Sequence, residues 1–453
     1  MKVAWPTKPL AEVCKIKPPK AEARNSCAES DLVSFVPMED LGIDQKVLVP
    51  TKVKPLADVA GSYTYFADGD VLMAKITPCF ENGKLGIAAN LTNGIGFGSS
   101  EYIVFRPNES LNREWLYYFL SRDAFKVEAA ERMSGAVGHK RVPKEFIETY
   151  PIPVPRLPEQ QRIVGILDEA FEGIARATAN AEQNLRNARA LIESGLDSAV
   201  TGKLTLGWRR KHADTENASA DLAVELAERR KGWMGPGKYR EPDAPTTLKP
   251  IDIPESWVLA SPEQITTHTV DCPHSTPKWA ESGVLCLRTT NFKPGFLDLA
   301  SVRFVSQQTY EERIMRLEPK SGDVLYSREG GILGIACMIP EQLKTCLGQR
   351  MMLFRANPSL VLPEYFTAVL NSTLILSEVR RLTSGAASPH LNICDIRKFP
   401  IPLPPITEQR QIVSQLDALA AETQRLESIY QQKLAAMAEL KKSLLHQAFS
   451  GKL

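Results

Sequence analysis

One stretch of this chain is written twice. Residues 151–168 read PIPVPRLPEQQRIVGILD, and residues 400–417 read PIPLPPITEQRQIVSQLD. The offset of 249 positions holds without a gap from 151–204 to 400–453, with 20 of 54 positions identical, and both copies close on Gly-Lys-Leu. After each proline-rich entry, apolar residues recur at spacings of four and three. The first series is Leu167, Phe171, Ile174, Thr178, Ala181, Leu185, Ala188 and Ile192; the second is Leu416, Leu419, Thr423, Leu426, Tyr430, Lys433, Met437, Leu440 and Leu444. That spacing is the seam of a coiled coil. Pro158 and Glu159 suit a first helical turn, Thr407 suits an N-cap before Glu408 and Gln409, and Gly202 and Gly451 suit the position just past each end. Two long helices are therefore expected, weakened in the first copy by Gly173 and Gly195. One fixed offset favours packing them on each other with pseudo-two-fold symmetry. The natural arrangement is antiparallel, with whatever precedes each helix at opposite ends of a rod.

The segments that precede the helices should then be equivalent domains, and short echoes support this. Trp5 with Val13 is matched by Trp257 with Ile265, Gly69-Asp70-Val71-Leu72 by Gly322-Asp323-Val324-Leu325, Phe105-Arg106 by Phe354-Arg355, and Ser134-Gly135-Ala136 by Ser384-Gly385-Ala386. The echoes sit in short β-like runs (DVLMAKI, YIVFRP, VLCLRTT, MMLFRAN) broken by turn residues, with helical patterns after them. The expected class is α+β: two pseudo-symmetric domains, each a twisted β-sheet plus helices, joined by two long antiparallel coiled-coil helices. The boundaries are 1–156 for the first domain, 157–204 for the first helix, 205–250 for a charged helical linker, 251–405 for the second domain and 406–453 for the second helix. At 453 residues, several domains are the prior.

Composition excludes little but shapes the rest. A formal net charge of +2 gives no overall basic field, so any nucleic-acid binding must concentrate cations locally. The opening residues MKVAWPTKPLAEV lack the apolar run of a secretory leader. The run from Gly330 to Ile339 is too short to span a bilayer, so a cytoplasmic location is expected. The eight cysteines form no C-x-x-C pair and read as reduced and structural. His268, Cys272 and His274 are close in sequence, but a fourth metal ligand is missing, and a structural role is the simpler reading.

Two variable domains alternating with two similar helical segments, each entered through P-x-P-x-x-x-x-E-Q and closed by G-K-L, resemble the specificity subunit of a type I restriction-modification system. VSFVPMEDL at 33–41 and HSTPKW at 274–279 are similar to stretches in that family's target-recognition domains. The resemblance covers essentially the whole chain. It implies that each variable domain reads one half of a split, bipartite double-stranded DNA target while the helices set the spacing. It also implies that the chain is non-catalytic and binds no cofactor itself. Two modification (methyltransferase) subunits would supply S-adenosylmethionine-dependent adenine-N6 methylation. Two restriction (translocase-nuclease) subunits would supply ATP- and Mg-dependent cleavage. The residues agree: no phosphate loop, methyltransferase signature or nuclease cluster is present in the sequence. A coiled-coil scaffold with two protein-binding heads, and a cysteine-dependent enzyme, stand as alternative readings.

Base readout needs forked donors or amides, and phosphate positioning needs Lys, Arg and small hydroxyls. In the first domain the candidates are Lys75 and Thr77 after the GDVL strand, Lys84 in an Asn-Gly turn, and His139, Lys140 and Arg141 after the Ser-Gly echo. In the second they are the run Arg288, Thr289, Thr290 and Asn291, then Ser327 and Arg328 after GDVL, Gln349 and Arg350 before a strand, and Ser388 and His390. Candidates for partner contacts or the spacer are Glu159, Gln160, Leu167, Phe171, Ile174, Leu185, Glu408, Gln409, Leu416, Leu426, Met437 and Leu444. The Arg-Arg-Lys runs at 209–211 and 229–231 are further candidates for contact with DNA or a partner, with solvated helix faces as the simpler reading.

Overall fold

A computed structural model describes residues 5–136, 138–212, 217–247, 250–384 and 389–453. The chain divides into two compact units. Unit 1 comprises Met1–Glu182 with Gln431–Leu453, and unit 2 comprises Gln183–Tyr430. The two long helices, Leu157–Val200 and Ile406–Phe449, are 44 residues each and pass from one unit into the other. Each spans roughly 66 Å at about 1.5 Å per residue.

Unit 1 is built on a five-stranded sheet in the order Cys14–Ile16, Tyr102–Pro107, Val71–Ala74, Leu85–Ala88, Val47–Leu48. A four-stranded sheet of the same unit runs in the order Lys52–Pro55, Leu32–Val36, Ile95–Gly98, Thr64–Ala67. The apolar runs of both are buried: all four residues of VLMA, LGIA and IGFG are inaccessible. The helices Arg113–Leu120 and Asp123–Glu131 follow, and six consecutive residues, Trp115 to Leu120, are buried in the main core. That core is closed by the start of the first long helix (Ile163, Val164, Leu167) and the end of the second (Leu445, Ala448). Phe449 packs 4.4 Å from Trp115, centroid to centroid.

Unit 2 repeats the plan. Its central sheet runs Thr266–Asp271, Met351–Ala356, Val324–Ser327, Ala336–Met338, and its second sheet Trp279–Ala280, Phe304–Val305, Val284–Leu287, Thr345–Leu347. The helices Pro363–Leu370 and Thr373–Thr383 take the places of Arg113–Leu120 and Asp123–Glu131. Ala199 and Val200 from the end of the first long helix, and Ile412 from the start of the second, complete the core. The stretch expected as a linker is part of this unit. Its helix Ala218–Lys231 buries Leu222 in the core, and Glu225 accepts a hydrogen bond from Asn357 Nδ2 at 2.6 Å.

The echoes found in sequence are chemically joined. Phe105 pairs with Val71 in register, and Phe354 pairs with Val324. The next residue, Arg106 or Arg355, forks onto the aspartate of the Gly-Asp turn. Arg106 binds Asp70 at 2.7 and 2.7 Å, and Arg355 binds Asp323 at 2.8 and 2.8 Å. Each aspartate also accepts from a turn amide, Ala67 N–H or Lys320 N–H. A planar guanidinium on a carboxylate is a strong, directional pair, so a Gly-Asp and a Phe-Arg far apart in sequence become one clasp in space.

Within each unit the long helices contact antiparallel. In unit 1, Thr178 Oγ1 lies 3.3 Å from Met437 Sδ, and Arg162 donates to Leu453 O at 2.9 Å. In unit 2, Arg189 pairs with Glu427 at 3.1 Å, while a Cβ on Gly195 would come within 2.4 Å of Leu419 Cδ2. Gly195 therefore permits a close approach, whereas Gly173 faces open space. Two expectations are corrected. The second helix starts at Ile406, one residue before Thr407, which sits inside the first turn. Leu440, placed on the seam, is 49% exposed, and the stripe passes through Leu434, Met437, Lys441, Leu444 and Leu445. An α-helix repeats every 3.6 residues, so a strict heptad series drifts by about 20° per heptad.

Candidate nucleic-acid interface

In unit 1 the residues after the strand Val71–Ala74 meet the loop 134–141. Thr77 N–H donates to Lys140 O at 3.0 Å, Lys140 N–H returns to Thr77 Oγ1 at 3.1 Å, and Val142 N–H donates to Lys75 O at 3.0 Å. The loop is pinched shut where Ser134 and Arg141 exchange backbone bonds at 3.1 and 2.8 Å. Gly135 makes the pinch possible: its φ is 129°, and a Cβ there would meet His139 O at 2.8 Å. Lys75, Thr77, His139, Lys140 and Arg141 thus share one region. Arg141 forks onto Glu101 at 2.9 and 2.8 Å and holds that carboxyl below its usual range. His139 and Lys140 are exposed. Lys84 turns elsewhere and spends its ammonium on Met38 O at 2.6 Å.

Unit 2 builds the equivalent region with different charges. Leu391 N–H donates to Arg328 O at 2.9 Å, as Val142 does to Lys75. His390 bridges Glu329, and Arg350 stands beside the loop at Gly330 with a φ of 68°, a backbone state uncommon outside glycine. Gln349 donates to His274 O at 2.6 Å, and His274 pairs with Asp271. Gln349, Arg350, His274 and His390 are at least partly exposed. Arg313, which the sequence did not single out, is 7% exposed and donates to the carbonyls of Leu347, Gly348, Pro273 and Ser275. It holds the two loops that carry Gln349 and His274, and only its buried position marks that role.

Three candidates are corrected. Arg328 is 5% exposed and committed to Asp271 and Glu329. Ser327 is fully buried and bonded to Ile335. Asn291 is 2% exposed, with its amide donating to Asp298 O and Ser301 O and accepting from Arg288 N–H. A polar run in sequence carries no record of which members a turn consumes, and these groups are spent inside the protein. Arg288 and Thr289 are half-buried, Thr290 is exposed, and Arg288 Nε is buried without a hydrogen-bond partner. Ser388, and the echo Gly385-Ala386, lie outside the described residues. His268 is exposed on an outer strand beside Thr267, and Cys272 is buried, receiving a bond from Met351 N–H.

The proline-rich entries are also redefined. Gln160 is fully buried: its Oε1 accepts from Asn112 N–H at 2.8 Å, and its Nε2 donates to Ser110 O at 2.9 Å and Pro155 O at 2.8 Å. Gln409 does the same with Leu362 N–H, Leu360 O and Pro404 O, at 2.8, 2.8 and 2.9 Å. Each glutamine locks a long helix to the head that precedes it, and neither is available to a partner. Glu408 is likewise buried, whereas Glu159 is half-exposed beside Arg162. Along the helices Leu167 is buried. Phe171, Ile174, Leu185, Leu416, Leu426, Met437 and Leu444 are partly buried.

A family model described as the type I restriction modification DNA specificity domain matches residues 2–184 and 292–434. The chain is 26% identical over 475 residues to the EcoAI specificity subunit of Escherichia coli, covering 94% of this chain and 79% of that protein. It is 24% identical to the EcoKI specificity subunit of Escherichia coli K12, covering 77% and 68%. Among solved structures, a chain from a study of complex assembly and conformational transition of the type I R-M system superposes with a TM-score of 0.71 at 19% identity, covering 100% and 99%. The HsdS subunit from Thermoanaerobacter tengcongensis superposes with a TM-score of 0.58 at 18% identity, covering 100% and 98%.

Proposed function

This chain belongs to the type I restriction-modification DNA specificity family, and from that premise we propose how it works. It is the DNA sequence-specificity subunit of such a system. Each unit's loop cluster reads one half of a bipartite double-stranded target, and the paired helices set the gap. The chain is non-catalytic. Two modification subunits bind S-adenosylmethionine and methylate adenine at N6; two restriction subunits use ATP and Mg to translocate and cut. The assembly works in the cytoplasm, and among the described residues no helix is long and apolar enough to cross a membrane.

One observation carries this reading: the same glutamine lock occurs twice, at Gln160 and Gln409, in one asymmetric chain. A duplicated lock gives each reading head a fixed orientation on its own helix. Two rigid head-helix joints are what a reader of two separated half-sites requires, since half-site spacing mirrors protein symmetry in such readers. Exposed Lys140, His139 and Arg350 are donors of the kind that contact phosphates and base edges.

The test is a methylome. The chain is expressed with its modification subunit in a methylation-free host, and N6-methyladenine is mapped by long-read sequencing. The expected result is a split motif with a fixed non-specific gap that vanishes when this chain is omitted. Absence of new methylation from a soluble, associated pair would shift the reading to a scaffold with two protein-binding heads. A continuous motif would mean that a single unit reads DNA.

A further inference from the structure

Unit 1 contains a cleft of about 280 Å³ whose walls carry Lys17, Lys20, Lys75 and Lys144, with Tyr63 and Ser100 beside them. Three separate segments bring the lysines together. Lys17 follows the strand Cys14–Ile16 with a φ of 58°, its N–H on Val104 O. Lys20 precedes the helix Ala21–Ser26 and donates to Gly61 O at 2.6 Å. Lys75 follows the strand Val71–Ala74 and donates to Ser100 O at 2.9 Å. Lys144 opens the helix Lys144–Thr149 and pairs with Glu148.

The nearby acids are already committed: Glu101 to Arg141, and Glu22 to Lys15 and Arg106. Among the described residues, no carboxylate lies within ion-pair distance of Lys17, Lys20 or Lys75. Burial, then Arg24 and Lys17, hold the Lys20 ammonium below its ordinary value. Burial also lowers Lys75; Glu101 opposes this, and Lys17 and Arg141 add to it.

The same position in unit 2 is neutralised. Ile16 pairs with Phe105 as Thr269 pairs with Phe354; the unit 2 strand runs on to Asp271, whereas the unit 1 strand ends at Ile16. Lys75 and Arg328 each follow the four-residue strand after the Gly-Asp turn. In unit 2, Asp271 meets Arg328 at 2.9 Å and the cation is buried. In unit 1 the residues that follow Ile16, from Lys17 to Lys20, include no carboxylate.

We propose that this cleft seats a backbone phosphate of the target duplex, with Lys17, Lys20 and Lys75 as its donors. The proposal rests on the DNA-specificity reading and adds a sequence-independent clamp to it. Ammonium groups neutralise phosphates without reading sequence, and they release condensed counterions as they do so.

The experiment measures binding of the full chain, with its modification subunits, to a duplex carrying the mapped target across a range of salt concentrations. The double variant K20Q/K75Q should reduce the slope of log K against log salt by about 0.9 per lysine that meets a phosphate. The ranking of mismatched targets should stay as in the wild type. K75R should retain the wild-type slope, which separates lost charge from lost folding. K52Q, on an exposed lysine outside the cleft, is the control and should leave the slope unchanged. An unchanged slope in K20Q/K75Q overturns the clamp while leaving the specificity reading intact. A wild type that does not discriminate its target overturns both. Titration with inorganic phosphate distinguishes the sources: saturation of the cleft by free phosphate, with duplex binding unaffected, would reassign it to a small anion and overturn the proposal.

Discussion

The two units solve one architectural problem with the same residues, buried alike at some positions and differently at others. Gln160 and Gln409 make the same three hydrogen bonds, and Asp70–Arg106 repeats as Asp323–Arg355. One residue before each glutamine, the likeness ends. The Glu408 side chain is 1% exposed and accepts from Thr205 Oγ1 at 2.6 Å and Trp257 Nε1 at 2.8 Å, with Arg209 completing the cage. The Glu159 side chain is 36% exposed and pairs with Arg162 at a wide cleft of about 1080 Å³ edged by Trp5 and Leu453. Identical residues at equivalent backbone positions thus serve as a buried anchor in one unit and a surface charge in the other. The difference comes from residues 205–209, which only unit 2 folds over the site.

The strongest way to break the comparison is at the locks. Q160A and Q409A should each leave buried amide and carbonyl groups unsatisfied, at about 1–3 kcal/mol per group. Hydrogen exchange should rise locally, around residues 110–112 and 155–160 in the first variant and 360–362 and 404–409 in the second, by comparable amounts. A large effect in one and none in the other would end the claim of equivalent joints.

The next effect separates the units. E408A removes one partner of a buried ion pair and should destabilise unit 2 by about 3–5 kcal/mol. E159A removes a half-exposed pair, where about 0–1 kcal/mol is the usual scale. Urea unfolding followed by exchange in each unit checks this, and equal losses would refute the contrast.

The helix glycines give a smaller contrast. G173A faces open space and should stabilise by about 0.5–1 kcal/mol through helix propensity. G195A should gain less or lose, because its new Cβ would meet Leu419 Cδ2 at 2.4 Å and force that side chain to rotate. Melting curves of the two variants would rank them.

The smallest effect is a pH dependence. Arg141 depresses the Glu101 carboxyl below its reference value of 4.5. The folded form is therefore the weaker proton binder, so the stabilisation is full above pH 4.5 and is lost as the pH falls through the lower folded value. R141Q should remove this acid sensitivity, read as loop exchange at residues 134–141; an unchanged profile would show that the pair does not hold the loop.

Periodicity and repetition made the long helices legible, because a seam of apolar residues at 3.5 to 3.6 spacing has few other uses. The equivalence of the heads was legible in Gly-Asp and Phe-Arg, although the sequence did not reveal that these echoes touch. Much of the candidate interface was less legible. Lys75 and Arg328 follow equivalent strands and read alike, yet Arg328 is buried against Asp271 while Lys75 has no carboxylate within ion-pair distance among the described residues. Lys17 and Lys20 carried no signal of their own, since the cleft forms only when segments distant in sequence converge.

By itself, then, the amino-acid sequence determined that two equivalent heads precede two long helices, since local spacing and internal repetition are properties of the chain alone. The tertiary structure decided which polar residues are spent inside and which remain free to meet a ligand. Burial and neutralisation depend on non-local neighbours, and no local pattern records where Asp271, Arg209 or Gln160 finds its partners.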